Sequence, residues 1–285
     1  MSDYRASPRP SFDAPTAIPF ASVTRHLWGD DESGEVADWI YVSTGKIHQI
    51  VFGLPPGGWF RHSNDYRTIF AADIVYYVLS GALLLANPAT GEARRIAPGE
   101  AGFFRRDTWH HAMNHSQEPL RVLELFAPPP ATGASGAYAR TQPLLTDGRY
   151  VRDGLLGRWP EAEERERTQA TIRVIRDADL LWRIEGRDHP LPVALLVSTV
   201  HLTVGRIELL PGERSDWSRH AGDESLYVID GALHVRTRGE RDGWFELHPG
   251  DGFYLPAGTE HEYHNVGRDP ARFVFGVAPT YLPPS

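Results

Sequence analysis

Short runs rich in Val, Ile, Leu, Tyr and Phe recur along most of the chain, and turn-forming Gly and Pro residues separate them. The clearest runs are IHQIVFGL (47–54), IVYYVLSG (74–81), LRVLELFAP (120–128), RIELLPG (206–212), SLYVIDG (225–231) and ARFVFGVAP (271–279). Short strands with regular turn signals are typical of an all-β barrel or sandwich. Only residues 159–184 carry a pattern that predicts helix, and much of that stretch can equally serve as a connection.

The second half of the chain repeats the first. Residues 96–128 align with residues 247–279 without a gap, and this alignment places His110 on His261. Segments further upstream also match, at slightly different offsets. Small changes of offset correspond to insertions in loops, which cost little free energy. The sequence therefore predicts two copies of one β unit of roughly 100 residues each.

This repeat predicts the organisation of the whole chain. We expect an N-terminal arm over residues 1–38, a first barrel over 39–130, a linker with a short helix over 131–192, and a second barrel over 193–285. The linker opens with PPPATGASG (128–136), a composition typical of flexible or extended connections.

Composition narrows the range of functions. The chain of 285 residues has no cysteine, which excludes disulfides, thiolate metal sites and cysteine nucleophiles. A net charge of −8 argues against nucleic acid as a partner. There is neither a long apolar run that would span a membrane nor an apolar N-terminal segment typical of a secretory signal. We therefore expect a cytoplasmic protein that binds neither nucleic acid nor membranes.

The second copy carries the candidate chemistry. His220 and Glu224 have the same parity along one predicted strand, and His261 lies on another. Alternate side chains of a strand share a face, so neighbouring strands would bring these three side chains together inside the barrel. Two imidazoles and a carboxylate suit a divalent transition metal and leave positions open for substrate.

These residues resemble the motifs of the cupin family. The second family motif is complete in this chain, and its members are Gly250, Pro256, Gly258, His261 and Asn265. The first motif is present as His220, Glu224 and Gly231, with Ser218 at the position of its first histidine. The resemblance implies two cupin barrels (jelly-roll, double-stranded β-helix) in one chain, a bicupin. It also implies a metal held by His220, Glu224 and His261, and a homodimer as one assembly.

The first copy departs from the same motifs. His110 is kept, but Ile74 stands at the position of the metal-binding glutamate, and an insertion follows His62. A second metal site at His62 and His110 would need a carboxylate such as Asp65 or Asp73. A hydrogen-bonded pocket or a plain structural role for the two histidines is at least as consistent with the sequence.

The resemblance leaves several functions open. The first is a non-haem iron(II) dioxygenase acting on a small aromatic or enolic molecule, with Mn(II), Ni(II) or Zn(II) as alternative metals. The second is a metal-dependent isomerase, decarboxylase or lyase, and the third is a non-catalytic bicupin that binds a small ligand. Trp217 and Tyr263 are candidate substrate contacts, although packing in the barrel core explains them equally well.

Overall fold

The computed structural model of the chain describes residues 5–128, 135–146, 148, 156–239 and 242–284. The strands of the first half are β1 (Thr16–Ile18), β2 (Thr24–Trp28), β3 (Val36–Ser43), β4 (His48–Leu54), β5 (Trp59–Phe60), β6 (Asp73–Ser80), β7 (Leu83–Asn87), β8 (Glu92–Ile96), β9 (Ala101–Phe104), β10 (His111–Asn114) and β11 (Leu120–Ala127). The strands of the second half are β12 (Ile172–Ile175), β13 (Leu181–Glu185), β14 (Leu191–Ser198), β15 (Thr203–Leu209), β16 (Asp223–Asp230), β17 (Leu233–Arg238), β18 (Gly243–Leu247), β19 (Gly252–Leu255), β20 (Glu260–His264) and β21 (Ala271–Ala278). The helices are α1 (Ser135–Ala139) and α2 (Glu161–Thr168), and short 3-10 turns lie at Phe20–Ser22 and Asp177–Asp179.

These strands form two barrels of the same design, each with a seven-stranded sheet and a smaller sheet. The first barrel has the orders β12-β9-β6-β11-β4-β3-β2 and β5-β10-β7-β8. The second has β1-β19-β16-β21-β15-β14-β13 and β18-β17-β20. In both large sheets the last strand of the repeat, β11 or β21, pairs antiparallel with its two neighbours. The predicted all-β fold with two repeated barrels is confirmed.

The long apolar runs arise because several strands are buried on both faces. On β4, Ile50 and Phe52 point into the core of the first barrel. Val51, between them, belongs to a second core that also includes Val204 and Val274 of the second barrel. Alternate residues of one strand thus fill two different cores, which explains why the run is apolar throughout rather than alternating. The two barrels pack sheet against sheet.

Each large sheet is completed by a strand from outside its own repeat. β1, which lies in the N-terminal arm, pairs with β19 of the second barrel, with Thr16 opposite Tyr254. β12, which follows α2, pairs with β9 of the first barrel, with Ile172 opposite Phe104. The arm therefore belongs structurally to the second barrel, and the connection belongs to the first.

Polar contacts also cross between the two barrels. Nζ of Lys46, the only lysine of the sequence, is 2.7 Å from Oδ1 of Asp223. The hydroxyl of Tyr41 donates to the carbonyl oxygen of Gly250 at 2.6 Å. These contacts fix the orientation of one barrel on the other.

The helix predicted over residues 159–184 is much shorter in the structure. It ends at Thr168, and the rest of the stretch forms β12, a 3-10 turn and β13. Pairing with the edge of the first sheet overrides local helix propensity here, because it buries Ile172 and Ile175. Residues 129–134 of the predicted flexible linker lie outside the described residues. No helix among the described residues is long and apolar enough to cross a membrane.

Candidate metal centre

The interior of the second barrel brings together the three side chains that the sequence predicts as metal ligands. Glu224 lies on β16, His220 precedes this strand, and His261 lies on β20. Two backbone hydrogen bonds of 2.9 Å, one in each direction, join Ser218 to His261 and hold the entry to β16 against β20. The amide of Gly258, a residue with φ of +80°, donates to the carbonyl oxygen of His220 at 2.7 Å. The turn at Gly258 thus positions His220, and the backbone pairing with Ser218 positions His261.

The donor atoms of the three side chains converge on one point. One ligand atom from each of His220, Glu224 and His261 lies within 4.8 Å of the others. Oε2 of Glu224 is 3.4 Å from Nε2 of His220 and 3.3 Å from Nε2 of His261. Glu224 and His261 are fully buried, and the His220 side chain is only 10% exposed.

Backbone carbonyls orient both imidazoles. Nδ1 of His220 is 2.6 Å from the carbonyl oxygen of Tyr281, and Nδ1 of His261 is 3.1 Å from that of Thr259. A carbonyl oxygen only accepts a hydrogen bond, so each Nδ1 carries the proton. In the neutral imidazoles the lone pair is then on Nε2, which faces Glu224, the arrangement found in metal-binding histidines.

Glu224 is held by Tyr263 through one oxygen only. The Tyr263 hydroxyl donates to Oε1 at 2.5 Å, whereas Oε2 is buried without a hydrogen-bond partner. Burial alone would raise the pKa of Glu224, but the close approach of His220, the charges of both histidines and the hydrogen bond from Tyr263 hold this pKa below its ordinary value. The carboxyl group is therefore ionised, and its free oxygen points at the two imidazoles.

The pKa values of the two imidazoles shift in opposite directions. Burial alone would lower the pKa of His220, but Glu224 and the carbonyl of Tyr281 raise this pKa above its ordinary value. Burial lowers the pKa of His261. A metal binds the neutral form of His220, so metal binding would compete with protonation of this side chain. Two imidazole nitrogens and one carboxylate oxygen without a hydrogen bond fit a divalent transition metal.

A cavity of about 190 Å³ opens beside this cluster. Its apolar and aromatic walls include Leu191, Val193, Ile207, Trp217, Tyr263 and Phe275. The two candidate substrate contacts, Trp217 and Tyr263, thus both line the cavity, and Tyr263 also holds Glu224. The guanidinium of Arg238 lies over the Trp217 ring at 3.8 Å. Concave, mostly apolar surfaces with a few converging polar groups are typical of small-molecule sites.

Two further polar residues line the cavity that sequence reasoning missed. The Tyr281 hydroxyl donates to Oε2 of Glu185 at 2.7 Å, and the Tyr281 ring stacks on His220 with 4.5 Å between ring centroids. Glu185 lies on β13, at the edge of the large sheet, and Tyr281 follows the last strand. Neither belongs to a motif or to the repeat, so no sequence signal marks them.

In the first barrel the two histidines of the predicted second site lie apart in different environments. His110 is buried, with the rings of Phe70 and Phe104 at 5.2 and 4.7 Å. Nδ1 of His62 is 2.7 Å from Nε2 of His111, and its Nε2 is 2.9 Å from the carbonyl oxygen of Leu145. Both nitrogens of His62 are thus engaged away from His110. Among the described residues, the cluster of His220, Glu224 and His261 is the one group with metal-ligand geometry.

The fold and the site define a class of protein, a double β-barrel with a two-histidine, one-carboxylate cluster in one barrel. Residues 205–277, which contain this cluster, match the family model described as the Cupin domain. Residues 205–277 thus form a cupin domain, and the two barrels give the whole chain the bicupin architecture that the motifs indicated.

Two curated relatives match parts of the chain. Tetracenomycin polyketide synthase protein TcmJ of Streptomyces glaucescens is 38% identical over 77 residues, which are 27% of this chain and 50% of TcmJ. Acireductone dioxygenase of Rhodopseudomonas palustris (strain TIE-1) is 42% identical over 60 residues, 20% of this chain and 34% of that enzyme. The chain thus spans half or less of the length of each.

Solved structures match over nearly the whole chain. A putative glyoxylate-induced protein of Pseudomonas aeruginosa superposes with a TM-score of 0.65 at 17% identity, covering 98% of this chain and 94% of that one. An oxalate decarboxylase–formate complex of Lactobacillus farciminis gives a TM-score of 0.61 at 13% identity, covering 95% and 88%. At such identities the likeness shows the fold alone.

Proposed function

We propose that His220, Glu224 and His261 hold one divalent transition metal, with iron(II) favoured, and that this chain is an oxygenase. The observation that carries the proposal is the convergence of the three donor atoms within 4.8 Å, with Oε2 of Glu224 left without a hydrogen bond. Two histidines and one carboxylate with open positions are typical of non-haem iron(II) oxygenases. The similarity to acireductone dioxygenase over 60 residues supports the same chemistry.

The side chains of this barrel prepare the site for such chemistry. A bound iron(II) ion supplies Lewis acidity and redox chemistry to substrate and dioxygen. Tyr263 holds Oε1 of Glu224 at 2.5 Å and so keeps Oε2 turned toward the two imidazoles. The carbonyls of Tyr281 and Thr259 keep both histidines in the tautomer that binds metal.

The cavity supports a small aromatic or enolic molecule as substrate. The walls next to Glu224 are apolar, and Phe275 and Trp217 offer aromatic surface. Such walls exclude water from the reacting atoms and favour a flat, weakly polar molecule. The polar end of this molecule would face the metal ligands.

A second candidate function has its own observation. Glu185 and Tyr281 form a hydrogen-bonded pair of 2.7 Å on the wall of the same cavity. A carboxyl and a phenol at this position can move a proton to or from a bound substrate. This pair favours a metal-dependent isomerase, decarboxylase or lyase, which would consume no oxygen.

The test is elemental analysis of protein purified without added metal or chelator, followed by oxygen-electrode traces with catechols and small enediols. We expect about one metal ion per chain in the wild type, because the three ligands form one site. His261→Ala and Glu224→Ala should lose this metal. The matched control is His248→Ala, which removes an exposed histidine near Glu246 and should keep full occupancy.

Each outcome separates the functions. Iron together with oxygen uptake would support the oxygenase. Zinc, manganese or nickel without oxygen uptake would support the isomerase, decarboxylase or lyase, and Glu185→Gln should then lower turnover while leaving metal content unchanged. Absence of metal under every loading condition would overturn both functions and leave a non-catalytic binding protein.

A further inference from the structure

The first barrel contains a separate cavity of about 100 Å³. Six aromatic side chains line it, and these are Trp28, Phe52, Phe60, Phe70, Tyr76 and Phe126. Several of them pack edge to face, with 5.8 Å between the ring centroids of Trp28 and Phe60 and 5.0 Å between those of Phe52 and Tyr76. Aromatic rings thus form much of the cavity wall.

Two acidic side chains, Asp38 and Glu124, line the same cavity. They are only 7% and 6% exposed, and among the described residues neither makes an ion pair or a side-chain hydrogen bond. Burial raises the pKa of both well above the ordinary value, and the nearby charge of Asp38 raises that of Glu124 further. Unpaired carboxyl groups in an aromatic cavity are costly to keep, which indicates a ligand.

The remaining titratable groups of the cavity do not neutralise these acids. Burial lowers the pKa of His48 to about 3 and that of His110 to about 4, so both are neutral near pH 7. Nη2 of Arg9 donates to the carbonyl oxygen of Thr44 at 2.9 Å, and the guanidinium makes no ion pair with either acid among the described residues. Tyr76 carries no charge, because burial raises its pKa.

A further polar atom in the cavity lacks a partner. Oγ1 of Thr68, a residue 1% exposed, is buried and has no hydrogen-bond partner in the part of the chain that the structure describes. Ser7 and Pro8 of the N-terminal arm line the cavity from another side. The enclosed space thus combines aromatic faces, two acids and one free hydroxyl, with its cationic side chain already engaged by the backbone.

We propose that this cavity binds a small alkylated ammonium ion, held between Asp38 and Glu124 and against the surrounding rings. Aromatic faces attract cations, and methylated ammonium groups lose little hydration on entering an aromatic enclosure. The volume of about 100 Å³ limits the bound part of the ligand to a small ammonium head. The positive charge would favour the ionised form of both carboxyl groups.

Binding of the cation should change the number of protons that the protein carries. Burial raises the pKa of both carboxyl groups well above the ordinary value and so favours their protonated form. The entering cation favours the ionised carboxylates, so protons leave the protein as the ligand enters. The two histidines that line the cavity, His48 and His110, stay neutral at pH 7, because burial lowers their pKa values to about 3 and about 4.

The test is isothermal titration at pH 7 with choline and with its neutral carbon analogue, 3,3-dimethyl-1-butanol. The two probes have nearly the same shape but differ in charge, so a difference between their affinities measures the contribution of the charge. We expect choline to bind at least tenfold more tightly than the alcohol. Titrations in two buffers of different ionisation enthalpy should show protons released with choline and none with the alcohol.

Variants locate the binding in the first barrel. Asp38→Asn and Glu124→Gln should weaken choline binding tenfold or more, because each removes one negative charge at almost constant shape. Both should melt at the same temperature as the wild type or higher, since the lost carboxyl makes no ion pair in the empty protein. The matched control, Glu118→Gln, changes an exposed acid of the same barrel and should leave choline affinity unchanged.

Further outcomes separate this proposal from the metal site. His261→Ala, in the second barrel, should lose metal and still bind choline with wild-type affinity. Equal binding of choline and the neutral alcohol would overturn the proposal in favour of a neutral ligand. Choline binding that survives in both Asp38→Asn and Glu124→Gln, or that fails in the wild type at millimolar concentration, would also overturn it.

Discussion

The two barrels share one strand register but place their carboxyl groups at different positions. Glu224 pairs with Val277 in the second barrel, and Ile74 occupies the matching place opposite Phe126 in the first. The carboxylate of the proposed metal site in one barrel is thus an aliphatic side chain in the other. Ile74 is 1% exposed, so the first barrel buries an aliphatic side chain at the position where the second barrel buries a carboxylate.

The reverse exchange occurs on two other strands. Glu124 of the first barrel stands opposite Tyr76, and its counterpart Phe275 stands opposite Leu226. Asp38, opposite Phe52, has as its counterpart a valine on β14 opposite Ile207. The barrel walls therefore accept polar groups at several inward positions, and the chemistry of each interior is set independently of the shared fold.

Replacing the metal-binding glutamate by the residue of the first barrel should have the largest effect. Glu224→Ile should reduce metal affinity more than 100-fold, because it removes one of only three ligands, while the fold tolerates isoleucine at the matching position of the other barrel. Elemental analysis and a zinc competition titration would measure this loss. Glu246→Gln, at an exposed position of the same barrel, is the control. Full metal occupancy in Glu224→Ile would refute the ligand assignment.

The opposite exchange should destabilise the protein without creating a metal site. Ile74→Glu should lower the free energy of unfolding by about 3–5 kcal/mol, the usual cost of an unpaired buried charge. Metal should not restore stability, since both nitrogens of His62 are engaged elsewhere. Urea denaturation with and without zinc would test this, with Ile74→Val as a milder control. Strong stabilisation by zinc would show that the first barrel keeps a metal site.

The buried histidine of the first barrel should make stability depend on pH. Burial lowers the pKa of His110 to about 4, whereas the unfolded chain titrates near 6.5. The unfolded state therefore binds more protons, and stability falls as the pH decreases from about 6.5 to about 4. The loss should be on the order of 3 kcal/mol at 1.36 kcal/mol per pKa unit. His110→Gln should lose this part of the pH dependence in urea titrations, whereas His248→Gln should retain it.

Removing the hydroxyl that holds the metal-binding glutamate should have the smallest effect. Tyr263→Phe should weaken metal binding by about tenfold, the lower end for partners that orient a ligand. The control is Tyr254→Phe, which removes another buried hydroxyl, bonded to Asp223 at 2.7 Å, and should leave metal affinity unchanged. A competition titration with a metal-sensitive dye would compare the two variants. Equal losses in both would indicate a general packing effect rather than orientation of Glu224.

The sequence was sufficient to predict the repeat, the two barrels and the convergence of His220, Glu224 and His261. The repeat and the barrels follow from strand alternation and from turn residues at fixed spacing, which act over a few residues. The resemblance to the family motifs carried the convergence, because β16 and β20 lie in different sheets and His220 precedes β16. The helix that local pattern predicts over residues 159–184 was wrong for most of this stretch, because pairing with the edge of the first sheet decided the conformation. Local pattern also gave no sign of Glu185 and Tyr281, because these residues reach the cavity from an edge strand and from the segment after the last strand.

Sequence pattern was sufficient for the fold class, because strand alternation is a short-range periodicity, and motif spacing was sufficient to name the three candidate ligands. The tertiary structure alone assigned β1 to the second barrel and β12 to the first, since edge pairing joins segments far apart in the chain. It alone showed that His62 faces His111 rather than His110. It also placed Asp38 and Glu124 in one aromatic cavity, because closure of a sheet into a barrel brings together side chains that no local spacing relates.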